Sequence, residues 1–181
     1  MCSSDLARRY YEDSLALRKA LAEREPGRTD LQRDLSVSYN KLGDLHRALG
    51  DGATARRYYE DSLAIAKALA EREPENQQAL GDLALSYERM ARVDAPAADW
   101  LRRAVELHRT RLAKDSSNVV IARELAIALY NTAVGHATDP AGADQARRES
   151  HALLSALHAR GALEAQYHDL ARRLADHFTT G

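Results

Sequence analysis

The chain lacks most of what catalytic and secreted domains rely on. Cys2 is its only cysteine, so an internal disulfide and a thiolate cluster for structural zinc are both excluded, which suits a reducing, cytoplasmic setting. Lys and Arg number 26 against 27 Asp and Glu, a formal charge of −1, so no cationic excess exists to neutralise a phosphate backbone. Nucleic acid is therefore not an expected partner. No apolar run approaches the roughly 20 residues a membrane-spanning helix needs, and a membrane partner is not expected either. There is no glycine-rich phosphate loop, no nucleophile elbow and no His-Glu-x-x-His arrangement. The histidines at 46, 108, 136, 151, 158, 168 and 177 are scattered, and no pair of carboxylates stands out for acid-base work. The expectation is a non-enzyme with no cofactor and no metal.

What is present points to helix. Ala, Leu, Arg and Glu dominate, aromatic residues are 6% and β-branched residues are few, while 45% apolar residues suffice for a continuous core. The fold class expected is all-α. Self-similarity then organises the chain, because Ala7 to Pro26 (ARRYYEDSLALRKALAEREP) recurs 48 residues later at Ala55 to Pro74 (ARRYYEDSLAIAKALAEREP). Within those 20 positions only Leu17/Ile65 and Arg18/Ala66 differ, which compositional bias cannot produce. The match continues loosely through Asp34-Leu35 and Asp82-Leu83, then Ser38-Tyr39 and Ser86-Tyr87. A third copy follows at an offset of 42, aligning Asn76 with Asn118, Leu83 with Leu125 and Ala91 with Ala133. The lost residues fall in one turn, where Gly50-Asp51-Gly52 gives way to Asp94-Ala95-Pro96. A weaker copy begins near Ala146.

Each unit reads as two amphipathic helices. Leu35, Tyr39, Leu42, His46 and Leu49 advance by three or four residues, and Tyr59, Ser62, Leu63, Ala66 and Ala70 likewise share one helical face. Asp51, Asn76, Asn118 and either Thr138 or Asp139 stand where N-caps belong, and Pro26 and Pro74 mark helix ends. The spacing predicts eight helices, over 7–25, 29–49, 52–73, 76–93, 96–115, 119–136, 142–160 and 162–178. They group as a partial repeat at 7–26, repeats at 29–74, 76–116 and 118–160, and a C-terminal capping helix at 162–178. Arg pairs at 8–9, 56–57, 102–103 and 147–148 recur; Arg8, Arg9, Arg56 and Arg57 each stand four residues ahead of an acid, so a solvated face with intrahelical ion pairs is expected over a basic ladder.

The segment Tyr39-Asn40-Lys41-Leu42-Gly43-Asp44-Leu45-His46, followed by Gly50-Asp51, Ala55, Tyr59 and Ser62-Leu63, resembles the tetratricopeptide repeat pattern. Small residues stand where paired helices would cross: Gly43, Ala91 and Ala133 on the first helices, Ala55, Ala97 and Ala146 on the second. His46 stands where Tyr is usual and Tyr39 where Trp is. The period of 48 or 42 exceeds the common one of about 34, as in the long-repeat variety of kinesin light chain type. The resemblance implies an α-solenoid of antiparallel helix pairs that binds a protein or peptide in its concave groove. Its rival is a structural, self-association or regulatory module of a larger, bacterial-type multidomain signalling protein.

In such arrays the first helix of each pair lines the groove. Carried over by the repeat offsets, that implies three tiers: Val37, Leu85 and Ile127; Asn40, Glu88 and Tyr130; Asp44, Arg92 and Val134. The apolar first tier would either receive a peptide or pack against the next repeat. Lys41, Arg89 and Asn131 occupy one equivalent position, but Val37, Leu85 and Ile127 stand where a clamp for a C-terminal carboxylate needs cations, so no such clamp is expected.

The first six residues match nothing in the repeat. Cys2-Ser3-Ser4-Asp5-Leu6 is also what TGC TCT TCC GAT CT would encode, a sequence resembling the end of a sequencing adapter. Residues 1–6 are thus expected to be a non-native or disordered leader, with Ser4 or Asp5 as a genuine N-cap the alternative.

Overall fold

The structure, a computed structural model, describes residues 3–135 and 139–179. Among these, eight α-helices and one 3-10 turn form and no strand does, so the chain is an all-α helical-repeat protein of solenoid class. It divides into two compact units, Met1–Ala95 and Pro96–Gly181.

The first unit holds α1 (Ser3–Arg24), α2 (Thr29–Ala48), α3 (Gly52–Arg72) and α4 (Gln77–Met90). The starts of α2 and α4 lie 48 residues apart, as the duplication requires. Helix α1 begins four residues before the expected start at 7; residues 1 and 2 of the expected leader lie outside the described residues. Consecutive helices pack on one another, α1 on α2, α2 on α3 and α3 on α4. The turn between α2 and α3 explains why they fold back. Gly50 adopts φ 80°, and the bonds from Gly50 N to Arg47 O (3.1 Å) and from Asp51 N to His46 O (2.9 Å) close a Schellman motif. Asp51 then caps α3 by accepting from Thr54 N at 3.0 Å. At the crossing, a Cβ on Gly43 would lie 2.6 Å from Tyr59 Cδ1 and clash with Cε1 as well. Glycine lets the Tyr59 ring approach the α2 backbone closely; Tyr59 is 1% exposed, and Leu42, Ala55 and Leu63 are buried as well.

The second unit holds α5 (Ala97–Lys114), α6 (Val119–Gly135), α7 (Pro140–Ala159), a 3-10 turn at Ala165–Tyr167 and α8 (His168–Thr179). Val105, Leu125, Leu129, Ala133 and Ala146 form one core cluster; Ala126, Leu154, Leu157, Leu163 and Leu174 form a second. Buried Ser150 donates to Ala126 O at 2.7 Å, and buried Arg111 reaches Glu124 at 2.6 Å, so α6 is tied to both neighbours.

The expected caps at Asn76, Asn118 and Asp139 form, each side chain accepting from backbone N–H groups two or three residues on. Thr138 and His136 lie outside the described residues. Two expected boundaries are corrected. Helix α4 stops at Met90, because Val93 N and Asp94 N both turn back to Met90 O. The last helix does not run from 162: Gly161, at φ 65°, closes a second Schellman motif, and α8 begins only at His168. The intervening Leu163 is buried in the second cluster, and His168 Nε2 lies 3.0 Å from its carbonyl oxygen. That anchoring holds the connection away from helix.

Candidate partner-binding surface

In the first unit, α2 and α4 are the first helices of successive repeats, and a cavity of about 290 Å³ opens between them. Val37, Asn40 and Asp44 from α2 and Leu85 from α4 line it, as do Arg33, Lys41, Asp82 and Arg89. One end is tied by Arg33, whose Nε donates to Asp82 Oδ2 at 2.5 Å. Towards the other, Arg89 Nη2 reaches Asp44 Oδ2 at only 3.5 Å, a weak contact, while Tyr59 OH donates to Asp44 Oδ1 at 2.6 Å. Burial, followed by that carboxylate contact, pushes Tyr59 up to about 12.

The polar accounting in this cleft is incomplete. Asn40 Oδ1 and the Nε and Nη1 of Arg89 are buried and find no hydrogen-bond partner within the protein. Buried polar atoms are usually paired, and leaving them unpaired costs free energy; both residues that carry these atoms line the cleft. Val37 and Leu85 add an apolar strip, Leu85 remaining 40% exposed.

The other expected groove residues are placed differently. Glu88, the repeat equivalent of Asn40, is buried and does not line the cavity. Arg92 is exposed in the turn beyond α4. Ile127 and Tyr130 lie half-buried on α6 in the second unit, where Tyr130 packs against the cluster around Leu154 and Leu163. Arg33 and Asp82 escaped the sequence reading because they are not repeat equivalents: position 81, matching Arg33, is glycine. Only an opposite charge one residue off the 48-residue register hinted at the pair.

Two of the four intrahelical pairs that the spacing predicts are seen. Arg56 bonds Glu60 at 2.9 Å and Arg8 lies 4.0 Å from Glu12, whereas Arg57 turns to Thr54. In the second unit a cavity of about 630 Å³ between α7 and α8 is bordered by His151, His158 and His168, with the last two rings edge to face at 5.1 Å. Among the described residues no three His, Cys, Asp or Glu side chains converge as a metal site, and no helix is long and apolar enough to cross a membrane.

Comparison with known proteins agrees with the all-α repeat fold. Residues 35–74 match the family model for the tetratricopeptide repeat. The chain carries a tetratricopeptide repeat. The repeat's match covers most of α2, the Gly50-Asp51 turn and all of α3, a stretch longer than the 34 residues of the common tetratricopeptide unit. Among solved structures the chain is similar to BtubC (BKLC) from P. vanneervenii, with a TM-score of 0.53 and 19% identity over 87% of this chain. At that identity the likeness concerns the fold, and the chain spans 59% of that structure's length. No curated protein matches. Tetratricopeptide repeats are in general protein-interaction scaffolds, and their helical-repeat fold is typically non-catalytic.

Proposed function

We propose that the chain binds a peptide or protein segment in the cleft between α2 and α4. The observation that carries the reading is the coincidence of unpaired polar atoms on Asn40 and Arg89 with the apolar strip of Val37 and Leu85. An extended segment offers backbone groups for the polar side chains of Asn40 and Arg89 that line the cleft, and alternate apolar side chains for the strip of Val37 and Leu85. Asp44 and Asp82 oppose the cations, and Val37 and Leu85 occupy the places where a carboxylate clamp would need positive charge. The occupant is therefore an internal segment, not a free C-terminus.

The test is a selection of displayed random dodecapeptides on the whole chain, followed by affinity measurement on the winners. Asn40→Ala and Leu85→Asp should each weaken binding about tenfold, the equivalent of about 1.4 kcal/mol. An acidic peptide ending in a free carboxylate should bind no better than its amidated form. Selected peptides that bind both variants as well as the parent would overturn the reading.

A further inference from the structure

The cavity lined by Val37 and Leu85 is one part of a longer groove. A second cavity, of about 240 Å³, adjoins it along the same two helices, and Arg33 and Asp82 line both. The ion pair of those two residues, at 2.5 Å, divides the groove into two compartments. Thr29, Arg33, Val37, Asn40 and Asp44 follow one another along α2 at steps of three or four residues, and so do Gln78, Asp82, Leu85 and Arg89 along α4. Each set keeps to one helix face, so the compartments lie in line.

Their charges are opposite. Near the amino ends of α2 and α4 the lining includes Asp30, Asp34, Glu73 and Asp82. Asp30 is bound by Arg28 at 2.6 Å and Asp82 by Arg33. Asp34 and Glu73 are not matched in this way. Glu73 accepts from the neutral Asn76 Nδ2 at 2.6 Å, and among the described residues no hydrogen bond or ion pair engages the Asp34 carboxylate. Arg18 reaches the Asp34 backbone oxygen at 3.4 Å, not its side chain, and the neighbouring Arg33 is engaged by Asp82. In the other compartment stand Lys41, Arg89 and Asp44. Asp44 takes the Tyr59 hydroxyl and lies 3.5 Å from Arg89, so it offsets that cation weakly. Lys41 is exposed, with its Nζ 5.8 Å from the centroid of the Tyr11 ring, and no acid among the described residues bonds to it.

We propose that the occupant of this groove is a polypeptide segment of mixed charge. It sets a lysine or arginine beside Asp34 and Glu73, an apolar residue over Val37 and Leu85, and an aspartate or glutamate beside Lys41 and Arg89. The proposal rests on a peptide occupying the α2/α4 cleft and specifies which peptide. Asp34 and Lys41 stand seven residues apart on α2, as do Asp82 and Arg89 on α4, which is about 10 Å at the helical rise. An extended segment covers that distance in about three to four residues, so its basic and acidic residues are that far apart. A uniformly acidic segment would set carboxylates against Asp34 and Glu73, and a uniformly basic one would set cations against Lys41 and Arg89.

The test is made on displayed random dodecapeptides selected on the whole chain. The enriched peptides should carry Lys or Arg and Asp or Glu three or four residues apart with an apolar residue between them. In the tightest of them, replacing the base by Glu or the acid by Lys should each weaken binding about fivefold at about 50 mM salt, with a smaller loss at about 500 mM. Charge reversal in the protein, at exposed sites, should invert these effects: Asp34→Lys should prefer the peptide whose base is now Glu, and Lys41→Glu the peptide whose acid is now Lys. Enriched peptides without the mixed pattern, or whose charge reversals change affinity less than about twofold while Leu85→Asp still weakens them, overturn the mixed-charge proposal and leave the cleft as a peptide site. Selection that yields no binding peptide overturns both.

Discussion

Gly43 and Tyr59 form a matched pair, and the match is steric. A methyl group at 43 would meet a ring that is held in place, because Tyr59 is buried and its hydroxyl is held by Asp44. Gly43→Ala should therefore destabilise the chain by roughly 1–3 kcal/mol in urea unfolding, against the usual gain in helix propensity from Gly to Ala. The phenol also sets an alkaline limit. Burial, then the Asp44 contact, raises Tyr59 to about 12 from its ordinary value of 10, so unfolded chains lose this proton first. Stability should fall as pH rises from 10 towards 12, and Tyr59→Phe should flatten that fall when thermal midpoints are compared across the range.

Helices in this chain are bounded by local chemistry, which is why most of them can be read from the amino-acid order. Asp51, Asn76, Asn118 and Asp139 each meet backbone N–H groups of the helix they open. Gly50 and Gly161 close theirs with positive φ. Replacing Gly50 by Ala should cost about 1 kcal/mol, read as a shift of the urea midpoint with unchanged slope. The Thr54 N–H holds the Asp51 carboxyl below its ordinary value of 3.8, so its contribution is present above that value and lost as pH falls below it. Asp51→Ala should lower the thermal midpoint at pH 7 and have little effect at pH 2, measured by circular dichroism. The last helix is harder to read, since the three- and four-residue spacing of Leu163, Tyr167, Leu170, Leu174 and Phe178 does not reveal that Gly161 and buried Leu163 hold the first turn open.

For the molecule as a whole, the repeats make stability a matter of neighbours. Helix α3 is flanked on both sides within its unit and α1 is not, though their sequences nearly coincide. Amides of α1 should accordingly exchange well before those of α3 in native-state hydrogen exchange; equal protection of the two would contradict the nearest-neighbour account. Such a pair is an internal control, because propensity and pattern cancel and packing alone differs.

Local rules were enough for the number of helices among the described residues, the caps and the 48- and 42-residue spacings, since hydrogen bonding within a turn and the 3.6-residue period act over a few residues. They could not assign surroundings. The single tier of Asn40, Glu88 and Tyr130 shows why: Asn40 lines the α2/α4 cleft, Glu88 is buried, and Tyr130 packs on the Leu154 cluster. Equivalent positions in a repeat share a helix face, but burial depends on which helix arrives against that face, and only the packed chain decides that.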